Sequence, residues 1–224
     1  MTTIAIFGGH GKVALALSRM LVAAGHDVRS IFRNEEHVPD VLATGAKPAV
    51  GDLEKLDVPA MTEMLNGVDI VVWAAGAGGG SDARTYAVDR DAAIRSMNAT
   101  VAADITRYVM VSYFGAGPDH GVPHDNSFFA YADAKAAADE YLRGTGLDWT
   151  ILGPSTLTDD DATSRIELTV VGPESTDSTI EGSSVSRADV AAVIAAVVDL
   201  KASCGKVIDF NNGPTPIGEA LDAL

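Results

Sequence analysis

The stretch "FGGHGKVA", residues 7–14, constrains the fold more than any other part of the chain. It places Gly8, Gly9 and Gly11 directly behind the apolar run "TIAIF" and directly before "KVALALSRMLVAAG", a run with helical spacing. A strand that feeds a helix through such a turn can reverse sharply, admit a pyrophosphate to the backbone and present helix N-terminal N–H groups to it. A Cβ obstructs the first two of these. Gly9, Gly11 and Ala14 fit G-x-G-x-x-G/A, and Gly8, Gly11 and Ala14 fit G-x-x-G-x-x-A; both spacings describe one turn. The context predicts a dinucleotide held by Gly8, Gly9, Gly11 and the N–H groups of Lys12 and Val13, with His10 on the pyrophosphate. A tight turn without a ligand is the plainer alternative.

The rest of the chain repeats the strand-then-helix pattern. Strands are predicted at 3–7, 27–32, 47–51, 69–75, 107–113, 148–153 and 206–210, with helices at 12–24, 35–44, 59–66, 83–103, 127–144 and 187–199. Several strands are apolar on both faces, the mark of a parallel sheet covered by helices on two sides. The expected fold is α/β: one doubly wound Rossmann-like domain over residues 1–224 with a small C-terminal substrate region. Residues 154–184, rich in Ser, Thr, Asp and Gly, break the alternation and are expected to form an irregular substrate loop.

A net charge of −15 opposes binding to nucleic acid. No run has the length of a membrane span, and the N-terminus lacks the charged region and cleavage site of a signal peptide, so a cytoplasmic protein is expected. Cys204, the single cysteine, cannot form an internal disulfide and is given no role. His120 and His124 with Asp119 and Asp125 sit in a Gly- and Pro-containing loop, and no metal is expected there. "TDDD" at 158–161 is expected to be solvated, and Ser186 with Asp189 matches a capping box.

Strand ends supply further cofactor residues. Arg33 ends the second strand, where a 2′-phosphate wants Arg and a 2′-hydroxyl wants Asp or Glu; Glu35 and Glu36 follow closely, so NADP is favoured and NAD stays open. Asp52 in "VGDLE" is placed to accept from the adenine amino group with Leu53 against the ring, or else to cap the next helix. Ala74, Ala75 and Gly76 leave room for a cofactor across the strand ends. "YADAK" puts Tyr131 and Lys135 on one helix face, where an adjacent ammonium brings a phenol toward the working range of an acid or base. Ser112, at the end of the fifth strand, is placed to hold a substrate carbonyl beside the tyrosine.

With these segments, and with "FRN", "LGPSTL" and "SRADVAAVI", nearly the whole chain resembles the atypical short-chain dehydrogenases/reductases of the NmrA-like and epimerase-like group. The resemblance implies Tyr131 as proton donor, Lys135 on the nicotinamide ribose, Ser112 polarising the substrate, and Pro154 and Ser155 near the nicotinamide. It also implies an asparagine on the fourth helix, where Asp89 stands instead; Asn98 lies too far along. Asp89 has a structural role or joins a proton relay. The expected function is hydride transfer between NADP(H) and a small carbonyl or alcohol. Relatives that epimerise nucleotide sugars carry more chain than residues 155–224 supply here, which disfavours a large sugar nucleotide. The alternatives are a non-catalytic NADP(H) sensor acting on a protein partner, and a flavin- or biliverdin-type reductase.

Overall fold

The computed structural model describes residues 1–171 and 180–224. Its sheet has the order β11-β8-β10-β6-β5-β4-β1-β2-β3. The parallel part comprises β1 (Thr3–Phe7), β2 (Asp27–Phe32), β3 (Lys47–Val50), β4 (Ile70–Trp73), β5 (Arg107–Val111), β6 (Asp148–Pro154) and β10 (Lys206–Asn212). The order reverses between β1 and β4, the place where doubly wound sheets open a crevice at their strand carboxyl ends.

Alternation explains why both faces are covered. In β1, Ile4 and Ile6 join one core with Leu17 and Leu21 of α1 (Lys12–Ala23) and Val193 and Ile194 of α7 (Arg187–Val197). Ala5 and Phe7 join the other, with Met61 of α3 (Val58–Met64), Met97 of α5 (Ala93–Ala102) and Leu142 of α6 (Phe129–Arg143). Ser186 caps α7 as its sequence suggests: its Oγ accepts from Asp189 N at 3.0 Å.

Three expectations need correction. First, residues 154–184 are not one irregular loop. They contain β7 (Thr156–Thr158) and β8 (Arg165–Val171) and reach β9 (Ser184–Ser186). β8 runs antiparallel to β10 and to β11 (Thr215–Pro216), so the sheet is parallel only up to β10; α8 (Ile217–Leu221) follows β11. Residues 172–179 of this stretch lie outside the described residues. Second, the helix expected at 35–44 is a 3₁₀ turn, Glu35–His37, followed by α2 (Val38–Leu42). Third, the helix expected at 83–103 is α4 (Asp82–Thr85), a π-helical stretch Tyr86–Ala92, and α5. The π stretch carries Asp89 and directs it inward. No described helix is long and apolar enough to cross a membrane.

Candidate functional site: two neighbouring clefts at the strand carboxyl ends

The first cleft, of about 360 Å³, opens at the switch point beside Gly8, Gly11, Arg33, Asp52, Ala75 and Gly76. The three glycines do separate jobs. Gly8 has φ +84°, and a Cβ there would lie 2.6 Å from Ala75 N. A Cβ on Gly9 would meet Ser30 Cβ at 2.5 Å, so its absence lets the turn pack on β2. Gly11 has an ordinary φ of −60°, and a Cβ there would press on Gly8 O at 3.3 Å with Ala74 O at 4.0 Å. It precedes α1, whose first turn has no side-chain cap. Bare backbone, an uncapped helix start and a concave wall fit a dinucleotide pyrophosphate.

Around this cradle, His10 stacks on His37 with ring centroids 3.5 Å apart, and His10 Nε2 lies 2.9 Å from Asp40 Oδ2. Lys12 Nζ reaches Asp159 Oδ2 at 2.5 Å, and Arg187 holds the other oxygen at 2.8 Å, so Asp159 of the "TDDD" run is paired rather than free in solvent. Val13 is half-buried behind the turn. Arg33 stands at the mouth and donates to Glu54 Oε1 at 3.1 Å, which also accepts from Arg84 Nε at 3.0 Å. Asn34 and His37 line the cleft, while Glu35 and Glu36 do not. Asp52 lines it and accepts from Glu54 N at 3.2 Å; the next helix is capped by Asp57, which removes the capping alternative for Asp52. Leu53, Ala74 and Ala75 complete the wall. Glu54, Arg84 and Val88 also line it and escaped the sequence reading.

The second cleft, of about 600 Å³, lies at the carboxyl ends of β5 and β6 beside Ser112, Tyr131, Pro154 and Ser155. Tyr131, Tyr113 and Phe128 form a ring cluster with centroids 5.2–5.6 Å apart. Ser155 is fixed by Phe210 O, and its Oγ accepts from Ser183 N at 3.1 Å.

Behind these rings is a group the sequence did not reveal. Tyr131, Lys135 and Asp139 share one face of α6, and Lys135 and Asp139 are buried at 1% and 0% exposure. Among the described residues no hydrogen bond joins Tyr131 to Lys135. Lys135 Nζ donates to Val111 O at 2.6 Å, with Asp139 and Asp89 as its charged neighbours. Tyr131 is driven up, not down, by burial and by the carboxyls of Asp89 and Asp139. Ser112 is also differently engaged, because its Oγ donates to Asp139 Oδ2 at 2.5 Å. Asp89 Oδ2 accepts from Ala77 N at 3.0 Å, while its Oδ1 and Asp139 Oδ1 are buried without hydrogen-bond partners. Burial raises both carboxyls and lowers the Lys135 ammonium, and the mutual attraction offsets this only in part.

The remaining candidates lie elsewhere. His120 and His124 pack against Phe129, with centroids 5.4 and 4.2 Å away. Cys204 Sγ lies 3.4 Å from an Arg107 guanidinium nitrogen.

Known proteins resemble this arrangement over their full length. The chain is 31% identical to the "Uncharacterized sugar epimerase YhfK" of Bacillus subtilis, over 98% of each. A putative NAD-dependent epimerase/dehydratase from Bacillus halodurans superposes with a TM-score of 0.88 at 31% identity, covering 100% of both chains. The oxidoreductase ylbE from Lactococcus lactis does so with a TM-score of 0.85 at 30% identity, over 100% of this chain and 96% of that one. The sequence profile of the NAD(P)H-binding family matches residues 8–201, from the first glycine of the turn to beyond α7. The chain belongs to this NAD(P)H-binding, Rossmann-type family of epimerase/dehydratase-like oxidoreductases.

Proposed function

We propose that the protein is an NADP(H)-dependent oxidoreductase that interconverts a small carbonyl compound and its alcohol. The observation that carries this reading is a pair of clefts at the strand carboxyl ends: a dinucleotide cradle with Arg33 at its mouth, and a cleft with the Ser112 hydroxyl in its wall. Gly8, Gly11 and the start of α1 would hold the pyrophosphate, and Arg33 the 2′-phosphate. The absence of Glu35 and Glu36 from the cleft wall supports NADP over NAD. When bound, the dihydronicotinamide supplies the hydride.

The proton comes from the chain. With Asp139 ionised, Ser112 gives its hydroxyl proton to Oδ2 and has only lone pairs left for a ligand. Burial favours the protonated carboxyl, in which Asp139 donates to Ser112 Oγ and Ser112 donates to the carbonyl oxygen. Transfer of that proton leaves Asp139 ionised beside Lys135, which stabilises the anion. Tyr131 then contributes an aromatic wall rather than the proton. In the alcohol-oxidising direction every transfer runs backwards.

A second reading is favoured by Lys135 Nζ being engaged by Val111 O: a sensor that binds NADP(H) without turnover and reports it to a protein partner. Titration with NADPH and NADH, followed by a turnover screen across aldehydes, ketones, quinones and flavins, separates the two. Turnover that Ser112→Ala abolishes supports the enzyme, and tight NADPH binding with no turnover supports the sensor.

A further inference from the structure

We infer that the second cleft takes an uncharged, planar, ring-bearing carbonyl compound and not a nucleotide sugar. This deepens the oxidoreductase reading and rests on that cleft being the substrate side. The first observation is the wall itself. Tyr113 and Phe128 meet edge-on at 87°, and Tyr131 tilts against both at 47° and 48°, so ring faces and edges line one side. Phe114, Pro154 and Leu157 extend the apolar surface. Phe128 is 43% exposed, an unusual position for a large apolar ring unless something covers it.

The second observation is charge. The polar groups in the wall are backbone and hydroxyls, from Ser112, Ser155, Thr156 and Ser183 and the phenols of Tyr113 and Tyr131, and no charged side chain lines the cleft among the described residues. Behind the wall stand the carboxyls of Asp89, Asp139 and Asp209, all at most 2% exposed. Lys135, the cation among them, is committed to Val111 O. Arg187 reaches the backbone of Leu157 but is paired with Asp159. A nucleoside diphosphate would bring its negative charges here with no free cation to meet them. A neutral ring loses little hydration on entry, gains stacking area, and offers one oxygen to Ser112. A volume of about 600 Å³ suits one or two fused rings with substituents.

The test measures binding without cofactor. Equilibrium dialysis compares duroquinone, a fully substituted benzoquinone that does not arylate the Cys204 thiol, with UDP-glucose, using the wild type and Phe128→Ser. Duroquinone should bind at least ten-fold more tightly than UDP-glucose, and Phe128→Ser should weaken it five-fold or more while NADPH titration and circular dichroism stay unchanged. Should Phe128→Ser lose its circular dichroism signal, Leu157→Ala takes its place with the same expectation. UDP-glucose binding as tightly as duroquinone, or duroquinone binding untouched by the substitution, overturns the inference. NADPH titration of the wild type judges the oxidoreductase reading separately, since a protein that binds duroquinone but no NADPH keeps this inference and loses that reading.

Discussion

Ser112 shares a short hydrogen bond with a carboxyl that solvent does not reach: Ser112 Oγ lies 2.5 Å from Asp139 Oδ2, and Asp139 is fully buried on the Tyr131 face of α6. Two consequences can be measured.

If this pair moves the proton, Asp139→Asn should lower carbonyl reduction by about 10²–10⁴, the usual share of acid–base catalysis, with NADPH affinity kept within a few-fold. Reduction requires protonated Asp139, whose carboxyl is raised by burial, so wild-type kcat should fall as pH rises through that value; the asparagine variant should lose this limb. Tyr131→Phe should stay within a few-fold of the wild type. A loss in Tyr131→Phe as large as that in Asp139→Asn returns the proton to the tyrosine.

Arg33 stands exposed at the mouth of the first cleft, paired with Glu54. Arg33→Ala should weaken NADPH by about 1.5–3 kcal/mol, the scale of a charge-assisted contact, and leave NADH nearly unchanged. Fluorescence titration checks this, and equal losses for both cofactors refute the 2′-phosphate assignment.

The division of labour among the glycines predicts opposite outcomes for neighbouring substitutions. Gly11→Val presses on Gly8 O at 3.3 Å, a far milder clash than at Gly9, so the variant should still fold, with a modestly lowered Tm, yet lose dinucleotide binding, its side chain filling the pyrophosphate's place. Gly9→Val drives a Cβ to 2.5 Å from Ser30 Cβ and should fail to fold stably. Thermal melts with and without NADPH distinguish them.

Asp209 is buried, its Oδ2 accepts from Gly115 N at 3.1 Å, and burial raises its carboxyl to about 6. A carboxyl raised in the folded state contributes stability fully below its unfolded value of about 3.9, and that contribution is lost as pH rises through about 6. Asp209→Asn, which keeps an acceptor for Gly115, should therefore be more stable than the wild type near pH 8, by up to about 3 kcal/mol, with the gap closing toward pH 4. Urea unfolding across this range is the measurement; a pH-independent difference excludes the mechanism.

How much of this was legible in the sequence varies by element. β1 and β2 were placed to the residue because "TIAIF" is a short, mostly apolar β-rich run and "DVRSIF" alternates before its apolar end, both bounded by turn residues. β8, "RIELTVV", was missed because its Ser-, Thr- and Asp-rich flanks outweighed a short run, and its partner β10 lies far along the chain. The π stretch leaves no trace in composition, since one extra residue per turn changes no residue type. Asp139 reads as an ordinary solvated helix acid paired at i,i+4 with Lys135; what engages it in the interior is the Ser112 hydroxyl from the end of β5, a tertiary fact. The first cleft was legible because backbone conformation there dictates residue type, while Glu54 and Arg84 join it only through folding.

The antiparallel pairing of β8 bears on the order in which a growing chain acquires its two clefts. The described wall of the dinucleotide cradle ends at Val88. β8 has no partner until β10 and β11 have been made, and Ser155 and Ser183 hang from Phe210 and Asn211 of β10. On the ribosome, the residues that line the first cleft are therefore all made before β10 and β11, on which the Ser155 and Ser183 side of the second cleft depends.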